Sequence, residues 1–406
     1  MDKTIQYIQK KFSEYYEKTD LQYPSRFEQR EYGFIHFDNR PFDRHHSFKS
    51  RDDFKNYLVK NSPANVYYSP AYYDNPDAPI QQKVLLGSDL IFDIDADHFQ
   101  GADKMTFEEM LACAKNEIIK LVNDFLLSDF GFEERYIHIL FSGGRGYHVH
   151  IDDPKVLNQT GHERREIIDY LGATNIDTGR IIQTTDSGIM PKNTSALKYV
   201  DASKVGKYRT LKPLPPKDAP GWKGRITRNF INFIEELEKT DEASAVKRLA
   251  SHGIDEKKAS KIYKMLFEGA DGKRPIDRVK NGYLDVFPEY AIVNTFLEIA
   301  MSEGKIKCEI DELVTSRTKG SLIRFPTSLH GKTGFRVVPI PIDKLDDFEP
   351  LNDAIVFGDD KVTIDVKKPL EIKLKGETFK LDVGKNEVPE YVGIFAIGRR
   401  VAEVCD

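Results

Sequence analysis

Cysteine is scarce in this chain of 406 residues, and Cys113, Cys308 and Cys405 stand far apart. That spacing excludes a disulfide framework and a CxxC metal site, and leaves reduced, buried thiols as the expected state. Long apolar runs are missing as well. No stretch approaches the roughly 20 apolar residues of a membrane span, and MDKTIQYIQKKF lacks the apolar core of a secretory signal, so a cytosolic protein without a membrane partner is expected. Nor is positive charge in excess: 60 Lys and Arg against 65 Asp and Glu give a formal net charge of −5. Any affinity for phosphate must therefore come from local patches. Wholesale disorder is excluded by 40% hydrophobic residues beside 31% charged ones. The length calls for two or three structural units, or one large α/β domain with an insertion.

Periodicity supplies the elements. Ile5, Ile8, Phe12 and Tyr15 recur at helical spacing near the N-terminus. Apolar content rises sharply from Lys83 to Asp95, as for a strand near the middle of a sheet. The spacing predicts one long helix over 105–127, with Thr106 as N-cap and Glu109 three residues on. RYIHILFS, the GGRG turn and YHVHID read as a hairpin, and ERREIIDYL at 163–171 as a helix. Residues 198–228 hold nine Lys or Arg against Asp201 and Asp218, interleaved with Tyr199, Tyr208 and Trp222. Ile226, Phe230, Ile234 and Leu237, then Val246 and Leu249, then Ile262 and Leu266 mark three helices. A further helix is expected at 289–303. VTIDV, LEIKL and TFKLDV alternate at period two, and GIFAIGRRVAEV closes the chain as a helix. The pattern is α/β (α+β): a core of 1–215 and 276–406 interrupted by a helical insertion of 216–275.

Three clusters carry chemistry. In LIFDIDADHF, strand alternation puts Ile91, Asp93 and Asp95 on one face and Leu90, Phe92 and Ile94 on the other. The two carboxylates then start from Cα atoms about 6–7 Å apart, a span a divalent cation bridges, and hard oxygen ligands select Mg²⁺ or Mn²⁺. The plain alternative is a strand running out into a polar loop with its acids solvated or salt-bridged. In FSGGRGYHVHID, Gly143, Gly144 and Gly146 permit a tight turn whose N–H groups could hold phosphate oxygens, and Arg145 adds a forked cation. The same stretch reads equally as a simple hairpin, or, through His148, His150 and Asp152, as the HxHxD of a zinc phosphohydrolase. In EIDELVTSRTKGSLIRFPTSLHGKTGF, Asp311 precedes Arg317, Lys319, Arg324, His330 and Lys332. HGKTG is not a P-loop, because Pro326 stands where that motif needs glycine. A basic loop on a solvated face is the plain reading here.

Together, FDID at 92–95, SGGRGYHVHI at 142–151, and EID at 309–311 with LIRFPTSLHGKTG at 322–334 resemble the catalytic small subunit of archaeal and eukaryotic DNA primases. EQREYGF, RHHSF, REIIDYL and VPEYVGIF echo it elsewhere, and FDIDAD with SGGRG looks more archaeal than eukaryotic. The resemblance implies a mixed-sheet primase core and primer synthesis on single-stranded DNA from NTPs or dNTPs within the cytoplasmic, nucleoid-associated replication machinery. By the same resemblance Asp93, Asp95 and Asp311 hold Mg²⁺ or Mn²⁺, and Ser142, Gly143, Arg145, His148, Arg324 and His330 bind the incoming nucleotide, with Arg44 near the same cavity. The partner it implies is a large primase subunit carrying an iron–sulfur cluster. Relatives often have a zinc knob after the first motif, but residues 98–131 offer only His98 and Cys113, so no zinc site is expected there. A eukaryotic second basic residue is replaced by Gly144, which shifts the expected phosphate grip toward backbone N–H groups and Arg324. The third reading is a non-catalytic module that binds single strands through 198–228, with Tyr199, Tyr208 and Trp222 stacking on bases and Lys204, Lys207 and Arg209 on phosphates, although the three aromatics read equally as packing.

Overall fold

The structure, a computed structural model, describes residues 3–38, 40–99, 101–174, 176, 184–185, 210–211, 214–268, 274–284, 286–287, 290–304 and 306–405. The chain divides into two compact units, Met1–Gly172 with Glu309–Asp406, and Ala173–Cys308. The 216–275 segment lies inside the second unit, which also takes in the helix Tyr290–Glu303.

In the first unit, helix α1 (Lys3–Lys18) buries Ile8, Phe12 and Tyr16. Tyr16, one position past the expected Tyr15, is the fully buried ring; Tyr15 instead donates its hydroxyl proton to the Thr327 carbonyl at 2.8 Å. Strands β1 (Tyr32–Ile35) and β2 (Asp43–His46) precede α2 (Arg51–Asn61), which Ser50 caps. Strand β3 (Asn65–Tyr68) then joins β1, β2 and the short strand Ile323–Arg324 in one antiparallel sheet. Phe54 of α2 packs edge-on or tilted against Phe27, Tyr32, Phe48 and Phe325, fixing helix to sheet by aromatic burial.

The hairpin of β4 (Ala71–Tyr73) and β5 (Leu85–Ser88) leads into β6 (Leu90–Asp95). Beneath that entry lies a buried ion pair, Arg30 Nη2 to Asp89 Oδ2 at 2.9 Å, with the Ser69 and Pro70 carbonyls taking up another guanidinium nitrogen. Strand β6 does not occupy the middle of its sheet. The order is Val338–Ile340, β7 (Ile137–Phe141), β8 (Gly146–Ile151), β6, so β6 ends it. Its outer edge is covered instead: the Asp93 carbonyl accepts the Asp311 N–H at 2.8 Å, and the short helix Glu312–Ser316 runs alongside. Burial of Leu90, Ile91, Phe92 and Ile94, not rank within the sheet, explains its apolar content. The two sheets face each other where Tyr68 of β3 stacks on His150 of β8, centroids 5.7 Å apart and planes within 6°.

Thr106 and Glu109 form the reciprocal capping box that starts α3 (Phe107–Lys120). The expected single helix to 127 changes winding: Leu121–Leu127 is π-helical, a register that buries Leu121, Val122, Phe125 and Leu126 together. A second capping box, Thr160 with Glu163, starts α4 (Gly161–Leu171). At the end of the chain the strands Lys361–Val366, Leu370–Leu374 and Glu377–Leu381 form as expected, joined by Gly384–Pro389. The closing segment is not one helix. It stops at Gly398, Arg400 turns with φ 59°, and Ala402–Val404 adds a strand to Lys361–Val366, because an open sheet edge outweighs local helical preference. Cys308 is buried, Cys113 and Cys405 are half-buried, and all three are free thiols.

Among its described residues the second unit is mainly helical, with Gly221–Lys239, Glu242–Ser251, Glu256–Phe267, Pro275–Lys280 and Tyr290–Glu303 beside one short antiparallel pair, Thr184–Thr185 with Thr210–Leu211. Ile226, Phe230, Ile234 and Leu237 are buried as their spacing predicts, whereas Ala245 replaces Val246 beside Leu249. Of the two readings of Trp222, packing is the one the structure favours over stacking on bases: it is 8% exposed, with the Arg225 guanidinium 4.9 Å over its ring. Tyr199, Lys204, Lys207, Tyr208 and Arg209 lie outside the described residues.

The pairing of β6 with β8 sets Asp93 opposite His148 and Asp95 opposite Gly146. A Cβ on Gly146 would be driven into the Ile94 carbonyl, whereas one on Gly358 meets nothing within 4 Å. Gly146→Ala should therefore cost about 1–3 kcal/mol or more of stability and Gly358→Ala less than about 0.5 kcal/mol, read from denaturant midpoints.

Candidate active site

The alternation of β6 turns Asp93 and Asp95 toward a cavity of about 380 Å³. The hairpin delivers Ser142, Arg145 and His148 to the same wall, and the Ile323–Arg324 strand and the 330–333 loop bring Arg324, His330, Lys332 and Thr333. His148 Nε2 stands 3.2 Å from Asp93 Oδ1, the cross-strand contact that their register dictates. Asp97 does not extend the carboxylate row. It takes Arg145 Nη2 as its partner and so holds that guanidinium at the rim.

The glycine turn is packed more tightly than it is open. Ser142 Oγ accepts the Gly144 and Gly146 N–H groups, each at 3.3 Å, so two of the turn's donors are engaged within it. The expected backbone grip on phosphate is correspondingly reduced. A Cβ on Gly144 would lie 3.1 Å from His330 Nε2, and Gly143, at φ +75°, passes its carbonyl to the Thr333 hydroxyl at 2.6 Å. The glycines of the second motif are therefore what let the third motif seat against it.

Arg324 lies over the Tyr67 ring at 4.6 Å, and its Nη1 is buried without a hydrogen-bond partner. Burial lowers its pKa, against the opposing pull of Tyr67, Asp93 and Asp95. His330, 8% exposed, is held well below the ordinary imidazole pKa by burial, with Arg324, Lys332, Arg399 and Arg145 adding to the effect. Its Nδ1 accepts the Lys332 N–H at 3.3 Å, which leaves Nε2 as the donor over Gly144.

Two expected site residues stand apart. Arg44 does not line the cavity: its Nε bonds Glu31 Oε1 at 3.0 Å and its Nη2 the Gly320 carbonyl at 3.0 Å. The fully buried Glu31 carboxylate also draws Lys83 and His45, and that need for counter-charge fixes Arg44 in place. Asp311 adjoins Asp93 through its backbone, while its Oδ1 caps the following helix by accepting the Leu313 and Val314 N–H groups at 2.8 and 3.1 Å. Among the described residues, no three acid, imidazole or thiol side chains converge closely enough to hold a metal ion. The donors nonetheless suit a hard divalent cation: two cavity-facing carboxylates, with a third acid hydrogen-bonded to the same strand.

The HxHxD reading comes apart in three directions. His148 turns to Asp93, His150 Nδ1 lies 3.1 Å from the Tyr68 hydroxyl, and Asp152 Oδ1 lies 3.0 Å from His138 Nε2. Sequence reasoning assigned no role to Tyr67, Phe107, Thr333 or Arg399, all on the cavity wall. Thr333 lies within the HGKTG stretch and Arg399 in a basic pair at 399–400, whereas Tyr67 and Phe107 offered no signal in the sequence.

This arrangement of carboxylates facing guanidinium and imidazole donors is that of a phosphate-handling enzyme. A family model described as DNA primase small subunit matches residues 92–342. A DNA primase small subunit PriS from Methanothrix thermoacetophila is 41% identical over 99% of both chains. Its counterpart from Methanococcoides burtonii is 37% identical over 99% of this chain and 98% of its own, and that from Picrophilus torridus 33% over 98% and 97%. The chain belongs to the DNA primase small subunit family, of the archaeal type, and is a primase catalytic subunit.

Both His150 and His330 are kept neutral by burial, with pKa values depressed below the ordinary 6.5. Below about pH 6.5 the unfolded chain binds protons that the folded chain refuses, so stability should fall as pH drops, by up to about 1.4 kcal/mol per pH unit for each histidine. Thermal melts between pH 7.5 and 5.5 should show this loss, and His150→Gln should reduce it.

Proposed function

We propose that this chain synthesises short RNA primers, and DNA primers from dNTPs, on single-stranded DNA by nucleotidyl transfer. The observation that carries the reading is the meeting of Asp93 and Asp95 with Arg145, His148, Arg324 and His330 around one cavity. Asp93, Asp95 and Asp311 would hold Mg²⁺ or Mn²⁺, which when bound lowers the pKa of the attacking 3′-hydroxyl and polarises the α-phosphate. Around it the protein's own groups orient the nucleotide. Arg324 presents a buried, unpaired guanidinium nitrogen, His330 a neutral imidazole N–H, and Arg145 a guanidinium braced by Asp97. His148 steadies the Asp93 carboxylate from the neighbouring strand and offers its other ring nitrogen to phosphate. No protein general base is assigned, since a metal-activated hydroxyl needs none.

The relatives' names call each of them a small subunit, which supports a large primase subunit as partner. An iron–sulfur cluster in the complex is assigned to that partner, because Cys113, Cys308 and Cys405 are scattered free thiols.

The test is primer synthesis on single-stranded DNA with labelled NTPs or dNTPs in Mg²⁺ or Mn²⁺, with and without the large subunit. Asp93→Asn and Asp95→Asn should each lower it at least a hundredfold while leaving the melting temperature near wild type; full activity in either would refute the assignment. Asp311→Asn separates two roles, since asparagine caps as well as aspartate. It should keep stability within about 0.5 kcal/mol yet abolish synthesis, whereas Asp311→Ala should also cost about 1 kcal/mol of stability.

A further inference from the structure

Arg399 reaches the cavity from the far end of the chain. The helix Glu390–Gly398 ends against the 330–334 loop, where a Cβ on Gly398 would lie 2.8 Å from the Gly331 carbonyl and 2.8 Å from the Lys332 carbonyl carbon. That close approach sets the next residue, Arg399, beside Lys332 on the cavity wall. Its guanidinium lies 4.7 Å over the Phe107 ring and 5.2 Å from the Phe395 ring, so two aromatic faces fix its plane.

No carboxylate among the described residues contacts it directly: Asp97, whose charge reaches it, is already taken by Arg145. Among the described residues Arg399 has neither ion pair nor side-chain hydrogen bond, although Arg145 close by has Asp97. Burial first and the nearby Arg145 second lower its pKa, against the opposing pull of Asp97. Arg145 is balanced by Asp97, whereas Arg399 and Lys332 share the wall without an ion-pair partner of their own among the described residues, an arrangement that a bound anion would stabilise. The engaged N–H groups of the glycine turn and the absent side chain at Gly144 leave that anion short of donors from the hairpin itself.

We propose that Arg399 binds the β- and γ-phosphates of the incoming nucleoside triphosphate, supplying the second guanidinium that the hairpin lacks. The assignment rests on the nucleotide-binding reading of this cavity. Arg399 and Lys332 also line a second, larger cavity of about 790 Å³, whose walls include Arg40, Lys367 and Arg400. Arg399 and Lys332 are thus the residues shared by the two cavities, and the assignment puts the phosphate tail beside them.

The experiment measures equilibrium binding of a nucleoside triphosphate and of the matching monophosphate, beside primer-synthesis kinetics. Arg399→Met keeps the bulk against Phe107 and Phe395 and removes the charge. It should weaken triphosphate binding about tenfold to a hundredfold, as loss of charge-assisted hydrogen bonds does, and leave monophosphate binding within about twofold. The KM for nucleotide should rise far more than kcat falls, and Arg399→Lys should recover part of the affinity. Wild-type triphosphate affinity in Arg399→Met overturns the proposal. So does equal weakening of both nucleotides together with a lowered melting temperature, which would make Arg399 a packing residue. A wild-type chain that binds triphosphate but makes no primer would count against the function proposed above and leave this assignment standing.

Discussion

Everything at the site depends on one backbone contact, the approach of Gly146 to the Ile94 carbonyl where β8 pairs with β6. With that pair in contact, Asp93 must stand opposite His148, and the turn beyond Gly146 must project over the carboxylate face. A slip of one residue would exchange the two faces of β6 and bury the carboxylates. Desolvated acid is tolerated at this edge because cations arrive from three other parts of the chain: Arg145, Arg324 and Lys332.

Much of this was legible in the sequence, and for identifiable reasons. Thr106 and Thr160 started helices because a capping box is a local device, complete within four residues. The hairpin and the parity of Asp93 and Asp95 followed from the period of a strand. Three motifs in order carried the family, and the full-length relatives agree with it. What the sequence concealed was non-local. Nothing in LIFDID says that Asp311 closes its open edge, and nothing in GRRVAEV says that a sheet edge waits for Ala402–Val404.

The same distinction separates the site residues. Arg324 and His330 were legible because they sit inside a motif, yet the basis of their chemistry is burial, which only the packed structure reveals. Arg44 lies in a stretch that resembles the family and is nevertheless turned to the buried Glu31. The glycines of SGGRG looked like a phosphate cradle; their larger effect is to let His330 and the β6 backbone come close. Asp97, third in the row of acids, completes the row in sequence only and in space restrains Arg145.

The covered edge of β6 has a consequence for how the site comes into being. Asp93 meets its hydrogen-bonding neighbour Asp311 only after the whole of the second unit intervenes in the chain, and Gly398 seats against the 330–334 loop from further still. Closing such long loops is entropically costly and slow compared with forming the hairpin. The hairpin and β6 can therefore pair early with their acids still facing water, and the cavity acquires its cations and its closed edge last. Completion of the cavity is for that reason a late step of folding, reached when Asp311 has met β6 and Gly398 has seated on the 330–334 loop.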